Sequence, residues 1–271
     1  MKNFFHQLNI EMRIAYYLIK SNVLNEMELR SAFIIQTIGM FLNDFAFVIV
    51  WIFFFRTFGS INRWSVNETI ALQGFVAFVF GLCFAFGSGV RYLPKRINNG
   101  SFDNFLTSPR TIYMRILASN SDTSAFGDIL HGVVMLSVYV YLAHLSLLQV
   151  ATLVTLIIPA VLILINFSLV SSLVGFLLPD AEAIARSIFE LLLAPGMYPT
   201  TLYQGTIRFL FLFGIPALAI GGLPVEIVRD MSLPWYLIIW LLAILWTLIA
   251  VFLLNTLVKR YESGNLIGDR S

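Results

Sequence analysis

The chain has 271 residues, of which 59% are hydrophobic and 12% charged, with a formal net charge of +2. Ordinary soluble domains carry roughly 25% charged residues, so this composition excludes a water-soluble enzyme and leaves no stretch for a separate soluble catalytic domain. One cysteine, Cys83, lies inside an apolar run; a disulfide framework is excluded and a plain buried residue is expected there.

Lys2 is followed by Asn3, His6, Gln7 and Asn9 rather than an apolar run, so no removable signal peptide is expected. From Leu8 to Arg30, Met12, Ala15, Tyr16, Ile19, Val23 and Met27 recur at spacings of three and four, with most charges elsewhere. That pattern predicts an amphipathic helix along the inner membrane surface, with a solvated helix as the alternative.

A helix needs roughly 20 apolar residues to cross a bilayer. Such runs extend from Ser31 to Phe55 and from Thr69 to Val90. Between Ile129 and Leu178 fifty residues pass without Asp, Glu, Lys or Arg, enough for two crossings that turn near His144–Gln149. A last span runs from Pro234 to Val258, opening on Trp235 and Tyr236 and closing on Lys259 and Arg260, the anchors expected at an interface. From Asp180 to Gly222 there are two shorter apolar pieces, Ile184–Met197 and Ile207–Gly222. Either the first is a span and the second a re-entrant hairpin broken at Gly214 and Pro216, or the second is the span and the first an interfacial helix. Both readings give six crossings with both termini on one side. Placing the termini inside puts thirteen basic residues on inner segments and only Arg56, Arg63, Arg208 and Arg229 on outer ones, which predicts cytoplasmic ends. The resulting division is a surface helix over 1–30, a six-span domain over 31–258 and a tail over 259–271.

Several chemistries have no signature here. None of the four lysines sits in a G-x-x-x-x-G-K-[ST] loop, so any ATP that drives this protein is bound by another polypeptide. His6, His131 and His144 are scattered, with no metal-ligand spacing, and no G-x-S-x-G elbow occurs. Asp44, beside Asn43, is a carboxylate deep in the first span, where leaving it charged and unpaired costs at least ~2.5 kcal/mol. No second carboxylate is evidently placed to exchange a proton with it, so a structural or pathway-lining role is expected. Glu190 is a similar intramembrane candidate. Asp128 and His131, one turn apart at the start of the third span, read as a local cap or interfacial pair. Ala77, Gly81, Ala85 and Gly89 form a small-residue row at four-residue spacing, which lets helix backbones approach closely.

The connector over 91–110 is the most distinctive segment. Asn99-Gly100 signals a turn, Ser101 or Asp103 offers a cap, and Pro109 closes the segment. Phe102, Phe105 and Leu106 fall on one side of a short helix, and we expect them to present apolar knobs to another protein.

The run Gly100-Ser101-Phe102-Asp103, then Leu106 and Pro109, resembles the "G-x-[LF]-D-x-x-L-x-x-P" signature of permeases in the type-2 ABC exporter superfamily, notably the branch of uncharacterised ABC transporter permeases. The N-terminal amphipathic helix resembles the family's elbow helix. Tyr198-Pro199 and Gly214–Pro216 resemble its segments before the final span, and Arg260-Tyr261 with Ser263 and Gly264 its "R-Y-x-S-x-G" tail. Ser101 departs from the pattern, standing where an acidic or bulky residue is common. The resemblance implies an all-α, six-span permease whose connector is a coupling helix seated on a separate ABC ATPase dimer. It also implies a re-entrant outer hairpin before the last span and a second permease, identical or related, beside the first. ATP and Mg belong to the ATPase; no cofactor, metal or nucleic acid is expected on this chain. The expected function is export of a hydrophobic or amphipathic substrate across the cell membrane. The alternatives are a membrane-embedded enzyme acting on lipid or prenyl substrates, and a channel or scaffold subunit.

Overall fold

The computed structural model describes residues 2–107 and 111–261, with side chains from residue 13 onward. Its first helix, α1 (Lys2–Glu28), is joined through Leu29 to α2 (Arg30–Phe58). After a tight turn, α3 (Val66–Gly87) runs back. Ser65 starts it with a capping box: the Asn67 N–H donates to Ser65 Oγ at 3.2 Å, and the Ser65 N–H donates to Glu68 Oε2 at 2.9 Å. Such reciprocal caps satisfy amide groups that a helix end leaves open. Three short helices follow, α4 (Leu93–Asn98), α5 (Asp103–Leu106) and α6 (Ile112–Leu117), and then the antiparallel pair α7 (Ala125–Leu142) and α8 (Leu147–Ser172). Ser146 and Gln149 form a second capping box, which ends the polar break between them. The rest is α9 (Glu182–Gly196), α10 (Gly205–Phe209), α11 (Gly222–Asp230) and α12 (Leu233–Val258). Among the described residues there is no strand, only an isolated bridge between Ile61 and Trp64.

Helices α2, α3, α7, α8 and α12 are each long and apolar enough to cross a membrane. They match the five runs read from the sequence, with one shift of consequence. Helix α7 begins at Ala125, ahead of the charge-free stretch, so Asp128 lies within the span and is buried rather than at its border. No side-chain cap bond forms at the start of α7.

The sixth expected crossing is not one long helix among the described residues. Helix α9 has 15 residues, about 22 Å at 1.5 Å each, short of a ~30 Å hydrocarbon core. Beyond it the chain turns through Thr200–Leu202, runs out along α10 and a π turn to Gly214, and breaks at Ile215 and Pro216. It then returns as the fully buried turn Ala217–Ile220. A Cβ at Gly221 would lie 2.0 Å from the Gly196 carbonyl oxygen, so the excursion closes on itself at that contact. The segment still carries the chain from one end of the bundle to the other. Asp180 accepts a 2.6 Å hydrogen bond from Asn98, beyond the end of α3, whereas Asp230 pairs at 2.8 Å with Arg63, before its start.

Helices approach closely where side chains are small. A Cβ at Gly81 would sit 2.7 Å from the Ile129 backbone nitrogen and 2.8 Å from the Ala125 carbonyl oxygen; one at Gly132 would sit 2.7 Å from the Phe78 backbone. Gly127 of α7 meets α2 equally tightly, 2.4 Å from the Thr37 carbonyl oxygen. Where lipid removes the hydrophobic drive, such contact is what holds spans together. Farther along, Asn166 on α8 is fully buried and fully engaged. Its amide donates to Leu162 O at 2.7 Å and to Thr247 Oγ1 of α12 at 2.9 Å, and its oxygen accepts from the Tyr113 hydroxyl at 2.8 Å.

Helix α1 lies against the end of the bundle that also carries the connector. Asn22 Nδ2 donates to Ala118 O at 2.9 Å, and Glu26 bonds the Thr123 hydroxyl. Ala15 is buried and Ile19 and Val23 half-buried, while Tyr16 and Met27 of the same expected stripe face outward; the Met12 side chain lies outside the described residues. Tyr261 packs its ring at the connector end as well, against Phe102 and Phe176.

Candidate functional site

The connector between α3 and α7 takes the turn its sequence encodes. Gly100 has φ +73°, a left-handed conformation that costs a glycine nothing, and Asn99 Oδ1 accepts from the Ser101 N–H at 3.0 Å and its hydroxyl at 2.6 Å. Helix α5 follows directly, with Phe102 rather than Ser101 or Asp103 at its N-cap.

The aromatic residues do not point outward as expected. Phe102 is fully buried, its ring 5.1 Å from Phe176, 5.0 Å from Tyr261 and 5.7 Å from Phe105. Phe105 is buried as well, flanked by the guanidinium groups of Arg96 at 5.1 Å and Arg115 at 5.4 Å. Arg115 also donates to the Phe105 carbonyl at 2.8 Å and the Asn104 carbonyl at 2.9 Å, which fastens the end of α5 to α6. The physical reason is economy of apolar surface: rings that can reach Phe176 and Tyr261 gain more by burial there than by facing water. Leu106 is the member of the trio that remains exposed, beside Asn104 and Thr107, with Asn98 and Asn99 at the other edge. Pro109 lies outside the described residues, as do Ser263 and Gly264 of the tail.

A second constellation sits within the spans. Asp44 on α2 and Asp128 on α7 bring their carboxyl groups within hydrogen-bonding reach, and the Asn43 side chain reaches Asp44. His131, one turn on from Asp128, is fully buried beneath the edge of the Phe41 ring at 5.8 Å. No carboxylate stands near Asp44 in the sequence; α7 supplies one, through the close approach of Gly127 to α2. These side chains line a cavity of about 270 Å³, whose opposite wall is Gln73 and Ala77 of α3 and Met197 after α9. Gln73 Nε2 donates to Met197 O at 2.9 Å and so ties α3 to the end of α9.

A model of one family matches residues 41–264, described as an ABC-2 family transporter protein. The match spans most of the 271 residues, including the connector, the buried cluster and the broken segment before α12.

The chain belongs to the ABC-2 transporter family.

It is therefore a multi-pass membrane protein and the permease component of an ABC-2 type transporter. Permeases of this family are typically non-catalytic transmembrane subunits, and they generally pair with ABC ATPase subunits. No curated protein and no solved structure matches the chain.

The remaining candidates separate in the permease. The small-residue row packs inside the chain: Gly81 against α7, Gly89 against the Ile116 carbonyl of α6, and Ala77 and Ala85 buried between. Glu190 is exposed and lines a different cavity, about 160 Å³, at the connector end, together with Arg91, Asp122, Glu182 and Arg186. There Arg91 pairs with Asp122 at 3.1 Å. Gln73 and Asn166 gain their importance only from partners on other helices. The available signal was an amide within an otherwise apolar span, which has to find partners in lipid.

Proposed function

We propose that this permease moves its substrate outward across the cell membrane, driven by ATP hydrolysis on a separate ABC ATPase dimer that docks on the 91–110 connector. We further propose six crossings with cytoplasmic ends, and a second permease, identical or related, completing the pathway. The observation that carries the coupling role is the fastening of α5. Its buried rings and the two Arg115 bonds make it one body with Phe176, Tyr261 and α6, so a push on its outer edge reaches the spans rather than bending a loose loop. The buried Phe102 and Phe105 then transmit, and the exposed Leu106, Asn104 and Asn99 make the contact. The passage of the chain from the Asn98 end to the Arg63 end between Asp180 and Asp230 supports a sixth crossing built from α9 and the segments after it.

Leu106→Asp places a charge at that edge, where docking would desolvate it. The variant should insert and fold normally, yet lose co-purification with the co-expressed ABC ATPase. Full retention of the ATPase would remove the connector as the docking element. Reporter fusions at Ser271 and within the Arg56–Asn67 loop test the orientation; a periplasmic signal from the C-terminal fusion would reverse it.

A further inference from the structure

The cavity between α2, α3, α7 and α9 has a composition that a structural polar contact does not need. Asp128 is 3% exposed and His131 fully buried, and Asp128 Oδ2, Asp44 Oδ2 and both ring nitrogens of His131 have no hydrogen-bond partner. Buried polar atoms are nearly always paired; the two carboxyl groups reach each other, but both His131 nitrogens lack any partner, which marks a place where something else supplies one. No lysine or arginine lines the cavity. Arg91, the cation whose field reaches Asp128, is engaged by Asp122. Among the lining residues the one group able to carry a positive charge beside the carboxyl pair is the His131 imidazole, and neither of its nitrogens makes a hydrogen bond to them.

The rest of the wall is apolar and soft, with Met40, Phe47, Phe80 and Met197 around the carboxyl pair. Aromatic faces attract cations, and thioethers adapt to irregular shapes. Among the described residues no group of three or more His, Cys, Asp or Glu is set to hold a metal ion, and a space of about 270 Å³ far exceeds the ~30 Å³ share of one water.

We infer that this intramembrane cavity binds an organic monocation, an ammonium group attached to an apolar body, with Asp44 and Asp128 holding the charge and Phe47 and Phe80 the body. The statement that such a cation is cargo rests on the permease reading; its binding does not, and is measured without ATP or the ATPase.

The probes are benzyltrimethylammonium and its uncharged isostere neopentylbenzene, titrated by calorimetry into the full-length protein in lipid nanodiscs. The cation should bind at least tenfold more tightly than the isostere. Asp44→Asn and Asp128→Asn should each weaken it at least tenfold, whereas Glu190→Gln, in the other cavity, should leave it unchanged. Absence of cation binding, equal binding of the isostere, or full affinity in the double Asn variant would each overturn the assignment. Because a carboxamide variant can fail to fold, the unmutated protein gives a second readout. Benzyltrimethylammonium should slow modification of Asp44 and Asp128 by dicyclohexylcarbodiimide, measured by peptide mass. Modification undiminished at saturating cation would equally overturn it.

Discussion

Phe102→Ala tests whether the connector is a rigid element. The ring is fully buried among Phe176, Tyr261 and Phe105, all with centroids within 5.7 Å. Removing a buried Phe side chain costs about 3–5 kcal/mol, and α5 is only four residues long, held otherwise by Phe105 and the two Arg115 bonds at its far end. The loss should therefore fall on the connector and leave α3, α7 and α8 in place. At the lower figure of about 3 kcal/mol the equilibrium for local opening shifts roughly 150-fold. Hydrogen exchange followed by mass spectrometry should show amide protection over 93–107 falling by a factor of that order in the variant, with protection in α8 unchanged. Coupling to the ATPase should fail in the same protein even though Leu106 is intact. If exchange over 93–107 is unaltered, the aromatic cluster does not hold the connector, and the mechanical reasoning is wrong.

Gly81→Ala forces a methyl group against the backbone of Ile129 and Ala125, so α3 and α7 have to separate; a loss of about 1–3 kcal/mol, read as a lowered unfolding temperature in detergent, is expected, whereas Gly39→Ala, with nothing within 4 Å, should be neutral or slightly stabilising. At the end of the bundle opposite the connector the hydrogen bond from Arg229, against some loss of solvation and with Arg63 assisting, holds the Asp230 carboxyl below its usual range. A carboxyl depressed on folding stabilises fully above its unfolded value of about 3.9 and loses that contribution as pH falls through the folded value. The difference in unfolding temperature between the unmutated protein and Asp230→Asn should thus be present at neutral pH and disappear with acidification below about pH 4. A difference that instead grows on acidification would refute the pairing.

The spans were legible because length and apolar content are properties of single segments. The fates of Phe102 and Asp44 were not, because each depends on which helix lies opposite. Phe102 reads as an exposed knob on its own short helix, and only the arrival of Phe176 and Tyr261 from distant parts of the chain turns it inward. Asp44 reads as isolated because Asp128 is 84 positions away and its helix was expected to begin later; the glycine at 127, which brings α7 onto α2, is unremarkable in the sequence. The turn at Asn99-Gly100 and the break at Gly214–Pro216 were readable locally, since each is enforced by the conformations its own residues allow. The segment from α9 to Pro216 resisted reading because each of its apolar pieces is too short to show by itself which of them crosses.

The central claim is that an ABC ATPase sits on the connector, and cross-linking in native membranes tests it most directly. Cys83 is buried at 1% exposure, so the permease offers no accessible thiol of its own, and the unmutated permease gives the background from cysteines of the ATPase. With the ATPase co-expressed, Asn104→Cys and Leu106→Cys should each cross-link to it through a short thiol-to-amine reagent, whereas Leu142→Cys, exposed at the far end of α7, should not. Cross-links absent from both connector positions while the ATPase remains bound to the permease would contradict the account.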